Sequence, residues 1–551
     1  MPSSTGTICA LLPPAAVATT AIHFFRYPTR ITSQHLNRAL WHFVVFMAVF
    51  LPWKAQAQQY TQSVLYNFCP HSGCADGMAP SGTPLLDAHG NIYGVAGAGG
   101  ANSKGVVYEL TQSGGTWTQS VLYTFCPQSN CPDGSEPYYP LVFDSQGNLY
   151  GTTVGGGSNS GGVVYELSPP PGGNGPWTES VIYNICEVTC PDGSGFVGGL
   201  VMDSHGNLYG AADGGGSHSS GLIFELSPNG GGSWTYTVLY NFCSLTNCAD
   251  GSGPAGGLIF DAHGNLYGTT AGGGVNEAGT VVELSANGGG WTESVLYSFC
   301  PALGCPDGND PLNALVFDPQ GNLYGTVAGG GANAYGGVFE LSPGGGGSWT
   351  EQVLESFCPG PSCTNGYGPK GLAADTHGNV FGDTAFGGGE ANRGTIFELS
   401  PASGGHWTYN VIYTFCPQEN CSNDGGGEPL TGVVLDGQGN IYGTTGSGGL
   451  YSEGAVYELM PAPLIPTTTT LTTTPNPSNL GQSVTMTATV HAQNGSTPTG
   501  TVIFESNGVQ IGSASLNNSG VAVLNYSNLA VGTDSLVAMY QGSSTLAPST
   551  S

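Results

Sequence analysis

Basic residues are scarce: Lys and Arg number 7 in 551 residues against 36 Asp and Glu, for a formal charge of −29. Four of the bases (Arg26, Arg30, Arg38, Lys54) precede residue 58, where no acid occurs. The remainder carries every acid and only three bases, a surface that repels phosphate backbones and excludes nucleic-acid binding. Charged residues make up 8% of the chain, yet 39% of residues are apolar and 10% aromatic, so the low charge does not imply disorder. Past residue 58 there is no apolar run long enough to span a bilayer and no sustained helical periodicity. The 93 glycines lack the every-third-residue period of a collagen. They also lack the following Lys-Ser/Thr that a phosphate-cradling loop requires.

What is present begins with an export signal. Residues 39–53 form a short apolar run behind Arg26, Arg30 and Arg38, followed by Ala55-Gln56-Ala57. That order reads as a secretory leader over residues 1–57, with the mature chain starting near Gln58. The competing reading is an uncleaved N-terminal anchor, which the shortness of the run argues against. Apart from Cys9, the cysteines form seven close pairs: Cys69/Cys74, Cys126/Cys131, Cys186/Cys190, Cys243/Cys248, Cys300/Cys305, Cys358/Cys363 and Cys416/Cys421. In an exported chain these read as local disulfides. Zinc would need four ligands, and no pair has a second Cys or His pair at finger-like spacing.

The pairs mark a repeat. A strand-like opening (WTQSVLYTFC at Trp117) recurs at Trp177, Trp234, Trp291, Trp349 and Trp407, with Tyr60 opening the first copy. A central motif, FDSQGNLYG around Asp144, places an aromatic at Tyr93, Tyr150, Tyr209, Tyr267, Tyr324, Phe381 and Tyr442, spaced 57, 59, 58, 57, 57 and 61 residues apart. A closing run such as GVVYEL completes each copy. Period-two alternation gives four short strands per copy. A unit of this length matches one four-stranded propeller blade and is too long for a β-helix rung. The expected fold is therefore all-β, a seven-bladed β-propeller over residues 58–460, with an open β-solenoid as the alternative.

The run GNLYGTT, a glycine-rich loop, GVVYELS and then WTESVLYSF resembles the GloVer repeat, a tandem-repeat family of exported bacterial proteins. The resemblance implies export and repetition and brings no catalytic residue with it. After residue 460 the composition shifts. A Pro/Thr-rich stretch, 461–475, reads as an extended linker. Residues 476–551 then read as short alternating strands of a β-sandwich. PTGTVIF at residues 498–504 and VAMYQG at residues 537–542 resemble bacterial Ig-like repeat domains, with one edge expected to be incomplete.

Three acidic positions recur. Asp76, Asp133, Asp192, Asp250, Asp307 and Asp424 follow the second cysteine, with Asn365 in copy six. Asp87, Asp144, Asp203, Asp261, Asp318, Asp375 and Asp436 open the central turn. Turn chemistry accounts for both sets, and calcium is the functional alternative. The third set, Glu109, Glu166, Glu225, Glu283, Glu340, Glu398 and Glu458, would converge if its strand lined a central channel and would be solvated if it did not. His89, His205, His263 and His377 alternate with Gln at one turn position, and the recurrent Trp reads as packing more readily than as a sugar platform. Copy six departs most from the others, with Glu355, Asn365, Phe381, Lys370 and Arg393. Lys370, Arg393 and Tyr367 form the candidate ligand site, suited to an anionic group such as a uronate.

These readings favour a noncatalytic extracellular or cell-surface binding and adhesion scaffold, monomeric and without a bound cofactor, whose ligand is a glycan or a surface protein. The alternatives are a secreted lyase or hydrolase using Lys370, Arg393 and the Glu set on acidic polysaccharide, and a purely structural surface protein.

Overall fold

The computed structural model describes residues 60–551 apart from 174, 187–189, 289, 403–404, 417–425 and 544. The leader expected over residues 1–57, together with Cys421 and Asp424, lies outside the described residues. The rest is all-β, with three single-turn 3₁₀ segments and no α-helix among the described residues.

The strand-forming rule is local. In the third copy, Leu208–Gly214, Leu222–Gly230 and Ser233–Asn241 follow Ser194–Met202 in sequence and pair in that order, each antiparallel to the next. β-Branched and aromatic side chains alternate across them, and tight turns join them. The same meander recurs five more times among the described residues, and a seventh sheet has the same order with a different source for its outer strand. Its phase differs from that of the motif. The Trp-bearing strand does not open its own copy but forms the outer edge of the preceding sheet. Thr116–Thr124, for example, pairs with Val106–Ser113. The two residues between them, Gly114 and Gly115, both have positive φ (60° and 83°), which suits a two-residue hairpin loop and forces the pairing.

That shift leaves the first strand without a sheet of its own. Tyr60–Asn67 pairs instead with Ala455–Pro461, near the far end of the repeats, in register Tyr60 with Pro461 and Ser63 with Glu458. The hydrophobic clusters follow the same circuit. Tyr93, Val107 and Phe125 of the first sheet pack on Leu141, Leu149 and Tyr165 of the second. Equivalent clusters join the following sheets in turn. Tyr442 and Val456 of the last sheet pack on Ile92, Val106 and Tyr108 of the first. Tyr108, Tyr165, Phe224, Phe339 and Tyr457 are wholly buried in these clusters. Each such aromatic is worth about 1.5–3 kcal/mol of burial, so the interfaces between sheets carry the stability.

The segments that open the sheets also touch those of other sheets. Ser81 Oγ donates to the Pro137 carbonyl (3.3 Å), Asn313 Nδ2 to the Pro369 carbonyl (3.3 Å), and Thr83 Oγ1 to the Thr431 carbonyl, which links the first sheet to the last. Between the third and fourth sheets the approach is so close that a Cβ on Gly198 would stand 2.3 Å from the Gly257 nitrogen.

Residues 467–474, expected to be a linker, are a strand: Thr467–Thr474 pairs along its whole length with Val484–Ala492. A run of β-branched threonines is a strong strand former, and the flanking prolines had masked it. This strand, Val484–Ala492 and Val521–Tyr526 form one sheet; Val509–Ser515, Thr501–Ser506, Leu536–Tyr540 and Ser549–Thr550 form another. Met486, Val490, Val502, Phe504 and Tyr540 lie in one core shared by both.

Candidate functional site

Two structural carboxylates recur among the repeats. The first builds the central turn. Asp203 Oδ1 accepts the N–H groups of His205 and Asn207 at 2.8 and 2.9 Å, and Oδ2 accepts Asn207 Nδ2 at 2.8 Å. The same three bonds form at Asp87, Asp144, Asp261, Asp318, Asp375 and Asp436. Burial alone would raise the Asp203 carboxyl, but the bonds from Asn207 and His205 outweigh it and hold the group below its usual value. Asp87 and Asp261 are lowered by the same balance.

The second carboxylate latches neighbouring sheets. Tyr123, on the outer strand of the first sheet, donates to Asp133 Oδ2 at 2.8 Å, and the N–H of Cys126 donates to the same oxygen at 2.9 Å. Tyr66 with Asp76, Tyr183 with Asp192, Tyr240 with Asp250 and Tyr297 with Asp307 repeat the pairing. Copy six, which the sequence marks as divergent, keeps the latch with its chemistry reversed. Glu355 replaces the Tyr and Asn365 the Asp, and Asn365 Nδ2 donates to Glu355 Oε1 at 2.7 Å while its Oδ1 still accepts Cys358 N–H. Two substitutions that each look like loss are one compensated exchange. Sequence reasoning missed it because the partners lie ten residues apart across the disulfide loop.

The disulfides Cys69–Cys74, Cys126–Cys131, Cys186–Cys190, Cys243–Cys248, Cys300–Cys305 and Cys358–Cys363 pin these loops. Cys186, Cys190 and Asp192 converge, but the two sulfurs are bonded to each other and offer no thiolate to a metal.

Each of the candidate ligand residues has partners of its own. Arg393 Nη1 lies 2.7 Å from Glu428 Oε1 of the next sheet. Lys104 occupies the same repeat position and pairs with Glu136 at 3.1 Å, so both cations serve as ties between sheets. Lys370 sits on Tyr367–Ala374, the first strand of its sheet, near Asp383, which is 1% exposed; burial lifts the Asp383 carboxyl to about 7 although Lys370 opposes the rise. Tyr367 stands in an aromatic row with Tyr335 and Phe386, at ring separations of 5.3 Å, and accepts a hydrogen bond from Asn392. The seven Glu residues are on the third strand of their sheets, and each is held within its own sheet. Tyr93 donates to Glu109 and Tyr442 to Glu458, while Ser168, Ser227, Ser285, Ser342 and Ser400 bond Glu166, Glu225, Glu283, Glu340 and Glu398.

Two of them, Glu166 and Glu340, line clefts between neighbouring sheets. Between the second and third sheets, Asp144, Gln146, Tyr150, Glu166, His205 and Trp234 surround a volume of about 490 Å³. Between the third and fourth, Asp203, His205, Tyr209, His263 and Trp291 surround about 540 Å³. Between the fifth and sixth, Asp318, Tyr324, Glu340, His377 and Trp407 surround about 420 Å³. In each, the half-buried Trp leans edge-on against the preceding sheet's Tyr, at 6.0 Å for Trp234 and Trp291 and 5.6 Å for Trp407. An indole at the base of an open cleft, rimmed by amide, imidazole and carboxylate groups, is suited to a ligand with one apolar face and many hydroxyls.

The sheets and clefts define an all-β tandem-repeat protein with disulfide-pinned loops. Its sequence matches the Gloeobacter/Verrucomicrobia repeat over residues 51–249, 174–383 and 237–425, and the chain belongs to that family. Residues 471–551 match the Bacterial Ig-like domain (group 3). No curated protein matches the sequence. Among solved structures, the chain is similar to a protein described as an oxidoreductase (glucose dehydrogenase) from Thermus thermophilus. The identity is 18%, over 59% of this chain and 96% of that one, with a TM-score of 0.36. It is also similar to a protein of unknown function from Dyadobacter fermentans, at 13% identity over 63% of this chain and 96% of that one, with a TM-score of 0.33. Neither likeness reaches to function.

Proposed function

We propose that this protein is a noncatalytic glycan-binding scaffold acting outside the cell, a seven-bladed β-propeller over residues 58–460 joined to an Ig-like sandwich that begins at the strand Thr467–Thr474. The propeller reading is supported by the cyclic order of the inter-sheet cores and by the pairing of Tyr60–Asn67 with Ala455–Pro461. An oxidising compartment is supported by six local disulfides among the described residues.

The observation that carries the binding reading is the recurrence of one cleft, with the same Trp, Tyr and central-turn Asp, at three sheet junctions. Repetition gives several weak sites on one rigid body, which suits a polymer with a repeating unit, because linked sites gain avidity without new contacts. The test is a glycan array probed with the full chain and with Trp234→Ala, Trp291→Ala and Trp407→Ala. Binding that weakens stepwise as the tryptophans are removed, with no release of sugar fragments, is the expected result. A blank array, or turnover of a polysaccharide, overturns the reading.

A further inference from the structure

Two residues after each Trp, one side chain of the outer strand points back toward the disulfide loop of its own sheet. Each stands in register opposite a fully buried Leu, as Gln119 opposite Leu110, Glu179 opposite Leu167 and Glu293 opposite Leu284. Where that side chain is Gln or Tyr, it is a hydrogen-bond donor to one target, the main-chain carbonyl of the residue that follows the loop. Gln119 Nε2 donates to the Asp76 carbonyl at 3.1 Å, Tyr236 Oη to that of Asp192 and Tyr409 Oη to that of Asn365, both at 2.5 Å. Gln62 holds the position in the last sheet, where the corresponding Asp424 lies outside the described residues.

In three copies the same position is Glu: Glu179, Glu293 and Glu351. An ionised carboxylate has no donor to offer. The structure shows the consequence in all three. Glu179 Oε1, Glu293 Oε1 and Glu351 Oε1 are buried without a hydrogen-bond partner. Among the described residues, no backbone N–H reaches the carbonyl of Asp133, Asp250 or Asp307. Two acceptors are thus left unpaired in each of three equivalent places, and one proton satisfies both. We propose that Glu179, Glu293 and Glu351 are held as neutral carboxylic acids, each donating its proton to the main-chain carbonyl of Asp133, Asp250 or Asp307 respectively, so that three of the outer strands are fastened by acid-dependent hydrogen bonds.

The surroundings favour the neutral form. Around Glu179 stand the Asp133 carboxylate and the hydroxyls of Tyr123 and Tyr165; around Glu293, Asp250 and Tyr240, whose hydroxyl lies 3.4 Å from Oε2; around Glu351, Asp307 and Tyr297. No cation is among these groups. Burial first, and then the neighbouring Asp charge, lift each of the three carboxyls to about 7. A folded-state value above the unfolded one means that the fastening is complete in acid and is lost as pH rises through neutrality.

The test replaces the three acids with the donor that copy two already uses. Thermal unfolding of the full chain is compared with that of Glu179→Gln, Glu293→Gln and Glu351→Gln combined, at pH 5 and pH 8.5. The Gln variant gains melting temperature over the parent at pH 8.5 and none at pH 5. An equal gain at both values, or no gain at pH 8.5, overturns the proposal. Infrared spectra of the unmutated protein at pH 6 supply a check that needs no variant to fold. A protonated-carboxyl stretch that titrates away by pH 8.5 is expected, and its absence is equally fatal.

Discussion

The reversed latch of copy six gives the sharpest prediction about how the repeats hold together. Asn365→Asp restores the residue of the other copies at one position and leaves Glu355 facing it. The 2.7 Å bond from Asn365 Nδ2 to Glu355 Oε1 disappears, and two carboxylates come to share the site. A hydrogen bond to a charged group is worth about 1.5–3 kcal/mol, and the partial exposure of both residues puts this one toward the lower end. Like-charge repulsion adds to the loss, so a local destabilisation of about 2 kcal/mol follows. The substitution acts on one loop, so a single global unfolding energy is the wrong readout. Native-state hydrogen exchange at the Cys358 amide, which donates to Asn365 at 2.9 Å, reports the opening of this loop directly. A loss of about 2 kcal/mol speeds that exchange roughly 30-fold where opening is local. Glu355→Tyr combined with Asn365→Asp rebuilds the Tyr–Asp latch of the other sheets and returns exchange toward the parent rate. If Asn365→Asp exchanges at the parent rate, or the double variant exchanges as fast as the single, the pairwise account is refuted.

Three further outcomes rest on the same geometry. Asp87, Asp203 and Asp261 are lowered in the folded state, so their contribution is present above the unfolded carboxylate value and is lost as pH falls through the folded one. A melting temperature that declines steadily below about pH 4 in the Glu-to-Gln triple variant checks this, and a flat acid limb contradicts it. Reduction of the disulfides removes about 2 kcal/mol for each five-residue separation in the chain-entropy model. Differential scanning calorimetry with and without reductant should therefore show a lower transition with unchanged far-ultraviolet circular dichroism, whereas an unmoved transition denies the loops a stabilising role. Deletion of residues 60–67 exposes the edge of Ala455–Pro461, and self-association on size-exclusion chromatography is expected, because an uncovered sheet edge recruits another strand. A deletion variant that elutes as the parent does would mean that this edge needs no cover.

The repeat, its strands and its disulfide loops were legible because each rests on spacing that a sequence displays: period-two alternation, the Asp-to-Asn turn and the paired cysteines. The phase of the sheets was not, although its cause was visible in Gly114-Gly115. That tight loop binds the Trp strand to the preceding copy, whereas the recurring motif groups it with the next one. Thr467–Thr474 was misread because prolines at residues 461, 463 and 466 suggested a linker while the threonines carried strand propensity. Lys370 and Arg393 looked isolated since their countercharges lie far along the chain: Glu428 is 35 residues from Arg393 and reaches it only across a sheet junction. The clefts were invisible for the same reason, being made of residues from two copies at once.

Closure is the claim beneath all of this, and spin-label distances test it with an internal control. Labels introduced by non-natural side chains at His89 and Gln438, on exposed turns of the first and last sheets, are compared with labels at His205 and His263, on the adjacent third and fourth. A closed ring makes the first and last sheets neighbours, so the two pairs give matching distance distributions. An open stack separates His89 from Gln438 by six sheet spacings of about 10 Å each, about 60 Å in all, and that longer distance would contradict the closed propeller proposed here.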